Sequence, residues 1–418
     1  MAVIQSVFAT PDAGRALRAN AAGVLPITLY QPGNIDMSGL GGRLTHTVKK
    51  LPRQPTTRAW DFLSIALAVY AADRFVLRRD FADGWTRVIE LKVEVVDPIP
   101  WIAQAGQFAA ALRFLTGDIW HLQFLPGGEP CPVFQGALTD RDCACLFSGG
   151  MDSLLGAMEL LESGRRPYLV SQASPKEGQY QTYLANQLGL DNEHFEGKVI
   201  EKGNPPYEPS SRGRSILFFA YGALAACGLG GDLYVPENGL ISVNPPLTRR
   251  RIGSLSTRTT HPYFIEALQH IFDAVDLRVR IINPFQLKTK GEMLRGCRHP
   301  LIGRLAKHSY SCGKGKRLNM HCGRCVPCLI RRASFKHAAM PDAIGYYAAD
   351  LRMHENATHD DVLAARQAVA QLQSRNFGRW AAESGPLPSD PIQRAGLIGV
   401  VERGLLELKV LVDGFRLR

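Results

Sequence analysis

Cys145-Leu146-Phe147-Ser148-Gly149-Gly150-Met151-Asp152-Ser153-Leu154-Leu155 is the stretch whose reading decides the fold, because an apolar run feeds a Ser-Gly-Gly turn and a helical pattern opens at Asp152. Glycines there admit backbone angles barred to other residues, so successive N–H groups can converge on an anion. The helix start adds unpaired N–H groups and the positive end of its dipole. Ser148 and Ser153 supply hydroxyl donors. No Gly-Lys-Ser/Thr string follows, which excludes a Walker P-loop. The bland alternative is a strand-to-helix turn capped by Asp152. The complete string between a buried-type strand and a helix favours nucleotide phosphate.

From Cys143 onward strand and helix patterns alternate: a helix over 152 to 163, a strand over 167 to 173, a helix over 178 to 188 and a strand over 195 to 201. Such alternation predicts an α/β fold with an open parallel sheet, helices on both faces, and a ligand site at the carboxyl ends of the strands. Arg212 and Arg214 precede a long apolar helix from Ser215, where guanidinium groups suit phosphate oxygens. Residues 236 to 262 form a long polar connection. Within it Glu237, Asn238, Asn244, Arg258 and His261 are candidates for reading a polar heterocycle, against the alternative of an exposed loop with three surface arginines, Arg249 to Arg251. Lys290 lies just after the strand 278 to 282.

Upstream, residues 1 to 140 read as a mixed α/β region with helices over 60 to 77 and 101 to 115. Strand 88 to 96 alternates polar and apolar residues, as expected of a strand with one wet face outside a parallel sheet. Arg43, Lys49, Lys50, Arg53 and Arg58 fit a solvated loop better than a nucleic-acid reader. Downstream, 360 to 373 reads as an amphipathic helix, 378 to 391 as a connector, and the remainder as an apolar helix or strand.

With 418 residues, 45% hydrophobic and 21% charged, the chain has the composition of a multidomain globular protein, and its net charge of +11 favours anionic partners. The N-terminus lacks the cationic start and apolar core of a secretory signal, and the charge-free stretch 215 to 231 is too short and glycine-rich for a membrane span, so neither is expected. Nine cysteines, four of them grouped, imply a metal site in a reducing, cytoplasmic setting. Cys312, Cys322, Cys325 and Cys328 have the spacing to close a tetrahedron of thiolates around Zn²⁺, with an iron–sulfur cluster as the rival. His299 and His321 are read as spectators.

The Ser-Gly-Gly-Met-Asp-Ser string resembles the signature of the PP-loop ATP pyrophosphatases. Together with Arg212, Thr289-Lys290-Gly291-Glu292-Met293, and Cys312 to Cys328 followed by Arg331, Phe335 and Asp342, it resembles the 7-cyano-7-deazaguanine synthase (QueC-like) family, over about residues 143 to 345. The enlarged form looks like the QueC-like component, QatC, of Qat anti-phage defence systems. The resemblance implies an adenine nucleotide alpha hydrolase type of sheet over 141 to 305 and a zinc module over 306 to 350; outside it, the apolar pattern suggests a helical region over 351 to 418. The resemblance also implies ATP bound at Phe147, Ser148, Gly149, Gly150, Met151, Asp152 and Ser153, Mg²⁺ near Asp152, catalytic roles for Ser148, Asp152, Arg212 and Lys290, and zinc at the four cysteines.

In that family the carboxylate of a 7-deazaguanine attacks the α phosphate of ATP, and an amine opens the resulting adenylate. This chain replaces the family's Asp-Tyr-Ser-Gly-Tyr-Pro-Asp stretch by the loop through Asn244-Pro245-Pro246. Its first 140 residues are an addition suited to a protein acceptor. The expectation is therefore a carbon–nitrogen ligase acting on a deazaguanine carboxylate and an amine of a partner protein from the same defence system. Nitrile synthesis with ammonia for tRNA or DNA modification, and a non-catalytic nucleotide-binding subunit, are the alternatives. Nucleic acid is a possible partner; a membrane is not.

Overall fold

In the computed structural model the described residues are 4–31, 38–172, 177–199, 201–202, 206–209, 211–248, 258–315, 320–351 and 360–415. They build two β-sheets. The first contains β1 (Gln5–Thr10), β2 (Leu25–Gln31), β3 (Ser38–Gly41), β4 (Val88–Val95) and β5 (Ile119–Pro126), ordered β5-β4-β1-β2-β3 and parallel throughout. The second contains β6 (Cys143–Leu146), β7 (Pro167–Gln172), β8 (His194–Gly197), β10 (Asp232–Tyr234) and β11 (Arg280–Ile282), ordered β11-β10-β6-β7-β8 and again parallel. β9 (Glu201–Lys202) leaves the second unit to pair antiparallel with β3.

The fold class expected for the chain is thus observed, with one correction. β4 is not outside a parallel sheet; it lies between β1 and β5 and is parallel to both. Its alternation is real, since Ile89, Leu91 and Val93 are buried while Glu90 and Lys92 are half-buried. The pattern reports a partly wet face. Pairing direction is set by the crossover helix Ile99–Thr116, which returns the chain to the same end of the sheet.

One apolar core runs through both sheets, and it is bridged by the helices Thr57–Phe75 and Ser215–Ala226, each buried along almost its whole length. The same junction carries charge. Arg87, fully buried, lies 2.5 Å from Asp73 and 2.6 Å from Asp118, and Arg78 holds Asp118 with two bonds of 2.7 and 2.9 Å. The other oxygen of Asp73 accepts from the Gly213 N–H at 2.6 Å, which ties the first unit to the start of the helix Ser215–Ala226.

The C-terminal region folds onto the second unit. Its helices Asp360–Ala370, Phe377–Ala382 and Pro391–Asp413 form a second core with Leu240, Val243 and Leu329. The stretch read as a connector therefore begins with a helix, and the last element is helical, capped by Asp390 with Pro391 in its first turn. Among the described residues no helix is long and apolar enough to cross a membrane.

Candidate nucleotide site and cysteine centre

β6 ends at Leu146, buried Phe147 donates its N–H to the Val170 carbonyl, and Ser148 emerges exposed at the carboxyl end of the sheet. Gly149 has φ +76°, a left-handed conformation that strains any residue with a Cβ, and an added Cβ would sit 3.3 Å from Gln181. Gly150 is different: φ −79° and ψ 168° are ordinary extended values. Only one of the two glycines is required by backbone angle. Ser148 Oγ accepts from the Gly150 N–H at 3.2 Å and lies 3.2 Å from Ser153 Oγ, so the two hydroxyls and the turn face one another. The helix Met151–Glu162 has no side-chain cap, which overturns the alternative in which Asp152 caps it.

Asp152 instead points into a buried polar cluster. Its Oδ2 lies 2.9 Å from Lys290 Nζ and accepts from Asn238 Nδ2 at 3.1 Å, and the same amide donates to Glu237 Oε1 at 3.0 Å. Asp152 Oδ1 is buried without a nitrogen or hydroxyl donor among the described residues. Burial pushes the Asp152 carboxyl up, but the Lys290 charge and hydrogen bonds from Glu237, Lys290 and Asn238 hold it below its ordinary value. Glu237 goes the other way: burial and then the Asp152 charge push it well above the carboxylate range. Two neighbouring carboxyls with one ammonium settle as one anion and one acid, with the Glu237 proton bonded to Asp152.

Sequence reading placed Glu237 and Asn238 among heterocycle readers, and the structure turns them to Asp152. The signal was their position after β10, the strand beside β6 where the strand order reverses. Arg258 and His261 are elsewhere, against the helix Ile99–Thr116: Arg258 donates to the Phe114 carbonyl at 3.1 Å, and the His261 ring lies 5.0 Å from that of Phe114. Burial, with Arg258 beside it, pulls His261 down to about 3, so it is neutral. Asn244 takes a left-handed conformation at the end of the short helix Gly239–Val243. Arg249 to Arg251 lie outside the described residues.

The two arginines before Ser215 also separate. Arg212 donates to the Thr116 carbonyl at 2.9 Å and stacks 4.5 Å from the Trp85 ring centroid, both on the first unit. Arg214, one residue before the helix, reaches Gln172 Oε1 at 3.3 Å. Gln172 ends β7, and Gln181 Nε2 bonds both its carbonyl at 3.5 Å and that of Ser148 at 3.2 Å. Arg212, the residue the resemblance pointed to, thus contacts the first unit, whereas Arg214 contacts the end of β7.

Cys312, Cys322, Cys325 and Cys328 are all buried, and their four Sγ atoms lie within 4.8 Å of one another. Cys312 and Cys325 are 3.9 Å apart, and Cys322 and Cys328 are 3.8 Å apart. A tetrahedron with Zn–S bonds of about 2.3 Å has edges of about 3.8 Å. Backbone N–H groups of Gly315 and Cys322 point at Cys312 Sγ, and those of Arg324 and Cys325 at Cys322 Sγ, as suits thiolates. The set fits a single zinc ion with no position open to substrate. His321 stands aside, accepting from the Ser311 N–H at 3.1 Å, and His299 accepts from the Leu301 N–H. Arg331 supports the module by holding the carbonyls of Ala306 and Ser309 and the Asp342 carboxylate. Tyr310, two residues before Cys312, donates its N–H to the Gly149 carbonyl at 2.9 Å, so the cysteine module is strapped to the Ser148–Ser153 turn.

Residues 259–339 match the family model described as queuosine biosynthesis protein QueC. That span holds Lys290 and all four cysteines. Over 232 residues, 49% of this chain and 92% of the relative, the chain is 27% identical to a 7-cyano-7-deazaguanine synthase of Paracoccus denitrificans (strain Pd 1222). No solved structure matches.

Proposed function

We propose that this QueC-like chain is an ATP-dependent synthase that activates a 7-deazaguanine-type carboxylate as its adenylate, releases pyrophosphate, and transfers the acyl group to an amine. The observation that supports it most is the buried Asp152–Lys290 pair, 2.9 Å apart, whose carboxylate belongs to the Ser148–Ser153 turn itself. A loop of N–H and hydroxyl donors with an ammonium at its base is suited to a group that gains negative charge as it leaves, which is what pyrophosphate does. In the first half-reaction a carboxylate oxygen bonds to the α phosphorus, and the bridging oxygen to the β phosphorus departs with pyrophosphate. In the second, an amine nitrogen bonds to the acyl carbon, the carbon–oxygen bond to AMP breaks, and the nitrogen gives up a proton.

Gly149, Gly150, Ser148 and Ser153 would hold the β and γ phosphates, with Phe147 and Met151 burying the base of the turn. Lys290 would neutralise the phosphates, and Arg214 would reach them from the start of its helix. Asp152 Oδ1 would hold Mg²⁺, an ion that takes one or two carboxylates together with phosphate oxygens and would supply charge neutralisation. The acceptor amine belongs, on this reading, to a partner protein of an anti-phage defence system. Its support is the first sheet, a further folded unit joined to the second through Asp73 and Gly213.

Pyrophosphate exchange into ATP tests the reading. With 7-carboxy-7-deazaguanine present, wild type should exchange, and Ser148→Ala combined with Asp152→Ala should not. Discharge of the adenylate by ammonia alone would place the chain with nitrile synthesis, as the name of the Paracoccus relative describes. Bound ATP without exchange would make it a nucleotide-binding subunit.

A further inference from the structure

The two partners of Asp152 Oδ2, Lys290 and Asn238, sit on segments held from behind by one helix, Pro391–Asp413. On one side its Glu407 reaches the turn that carries Lys290. Thr289 Oγ1 donates to Glu407 Oε1, and the Gly291 N–H donates to Oε2 at 3.2 Å, so the carboxylate grips the residues on either side of Lys290. One turn earlier Arg403 bonds Glu292 at 2.6 Å, and Glu292 closes the capping box with Thr289. On the other side Val400 packs on Gly239, next to Asn238: a Cβ on Gly239 would lie 2.7 Å from Val400 Cγ1. Glu407 is itself buried at 6% exposure.

Gly291 records this contact in the sequence. A Cβ there would lie 2.4 Å from Glu407 Oε1, a distance no real Cβ contact shows. Gly291 is the second residue of its helix and has no positive φ that would call for glycine, so its presence needs another reason. The reason is that the carboxylate occupies the space an alanine would fill.

We infer that the C-terminal helix is a built-in part of the nucleotide site and that Glu407 is a positioning residue, fixing the Thr289–Gly291 turn so that Lys290 meets Asp152 and the phosphates. The inference rests on the proposed role of Lys290 toward ATP. Its mechanism is separate: Glu407 acts only through the turn.

A double-mutant cycle on the full chain tests it, with ATP affinity by calorimetry, pyrophosphate exchange, and hydrogen exchange of the peptide 286 to 296. Glu407→Ala should lower exchange activity about ten-fold and speed amide exchange over 289 to 293. Lys290→Ala should cost more, and the double variant should be no worse than Lys290→Ala, because coupled residues are not additive. Gly291→Ala should lower the melting temperature through its clash with Glu407, and adding Glu407→Ala should bring the melting temperature back to that of Glu407→Ala alone. Multiplicative losses in the Lys290/Glu407 cycle, or unchanged protection over 289 to 293 in Glu407→Ala, would overturn the inference. If wild type neither binds ATP nor exchanges pyrophosphate, the functional reading fails, and amide protection with the Gly291/Glu407 rescue decides the brace by itself.

Discussion

In the first sheet the strand order reverses between β1 and β4, in the second between β6 and β10, and the carboxyl ends flanking each reversal carry acidic side chains. Open α/β sheets bind ligands at such points. At the first, Glu94 is enclosed: Thr10 Oγ1 donates to it at 2.5 Å, Arg15 pairs with it at 3.1 Å, and the connector after β5 closes over the end, with Gly128 N–H bonded to the Val95 carbonyl. At the second, the carboxyls of Asp152 and Glu237 share their charge with Lys290, while Ser148 is exposed and the helix start has no side-chain cap. Two units with one winding rule thus end differently. One has filled its crevice with its own side chains, and the other has left donors facing out. A fold supplies the place, and the side chains there decide whether it is a site.

The largest effect that sharpens this contrast should come from the cysteine module, which straps only the second loop. The purified protein should carry one zinc per chain, measured by metal analysis. Structural zinc binds with about 10 kcal/mol in small modules, so Cys325→Ser or strong chelation should unfold the local structure around it and free Gly149 from Tyr310. Amide protection at Tyr310 should then collapse while the first sheet keeps its own. Next comes Asp152→Ala, expected to lower pyrophosphate exchange about 10²–10³-fold, the scale of losing one preorganised electrostatic group. Retention of exchange in that variant would dissolve the distinction between the two sheet ends.

Much of the second end was legible because its residues are contiguous. Ser148 to Ser153 carry the turn, the hydroxyls and the acid in one string, and Cys322 to Cys328 wrap one centre by spacing alone. What the sequence hid were meetings between distant segments. Thr289 and Glu407 are 118 residues apart, Asn238 and Asp152 are 86 apart, and no periodicity reports such pairs. Arg212 and Arg214 both precede the helix Ser215–Ala226, and which surface each side chain meets, the Thr116 carbonyl or Gln172, is likewise a meeting of distant segments that spacing does not report. For β4, alternation described the wetness of a face correctly but carried no information on strand direction.

The closed end offers a smaller test. Glu94→Ala removes the acceptor for Thr10 and the partner of Arg15, at an expected cost of about 1–3 kcal/mol in unfolding free energy for the buried groups left unsatisfied. Nucleotide affinity should not change. A fall in ATP affinity comparable to that of Asp152→Ala would mean that the first crevice is a site after all.

The smallest effect expected is the most specific, since it asks which carboxyl at the open end carries the proton. Glu237 is raised well above its ordinary value of 4.5, so its contribution to stability is fully present below that value and is lost as pH rises through its folded value. Asp152 is lowered, so its contribution is present above its ordinary 3.8 and is lost as pH falls through its folded value. Between these limits the pair holds one proton and one negative charge opposite Lys290. On the alkaline side Glu237 becomes a second anion beside Asp152, and exchange activity should decline. Glu237→Gln keeps a donor toward Asp152 and cannot ionise, so at neutral pH it should lie within about 1 kcal/mol of wild type in stability, the net worth of one hydrogen bond. Its pyrophosphate exchange should persist to higher pH than that of wild type. Superimposable pH profiles would show that Glu237 is not the proton holder and that the open end, like the closed one, is balanced by fixed charges alone.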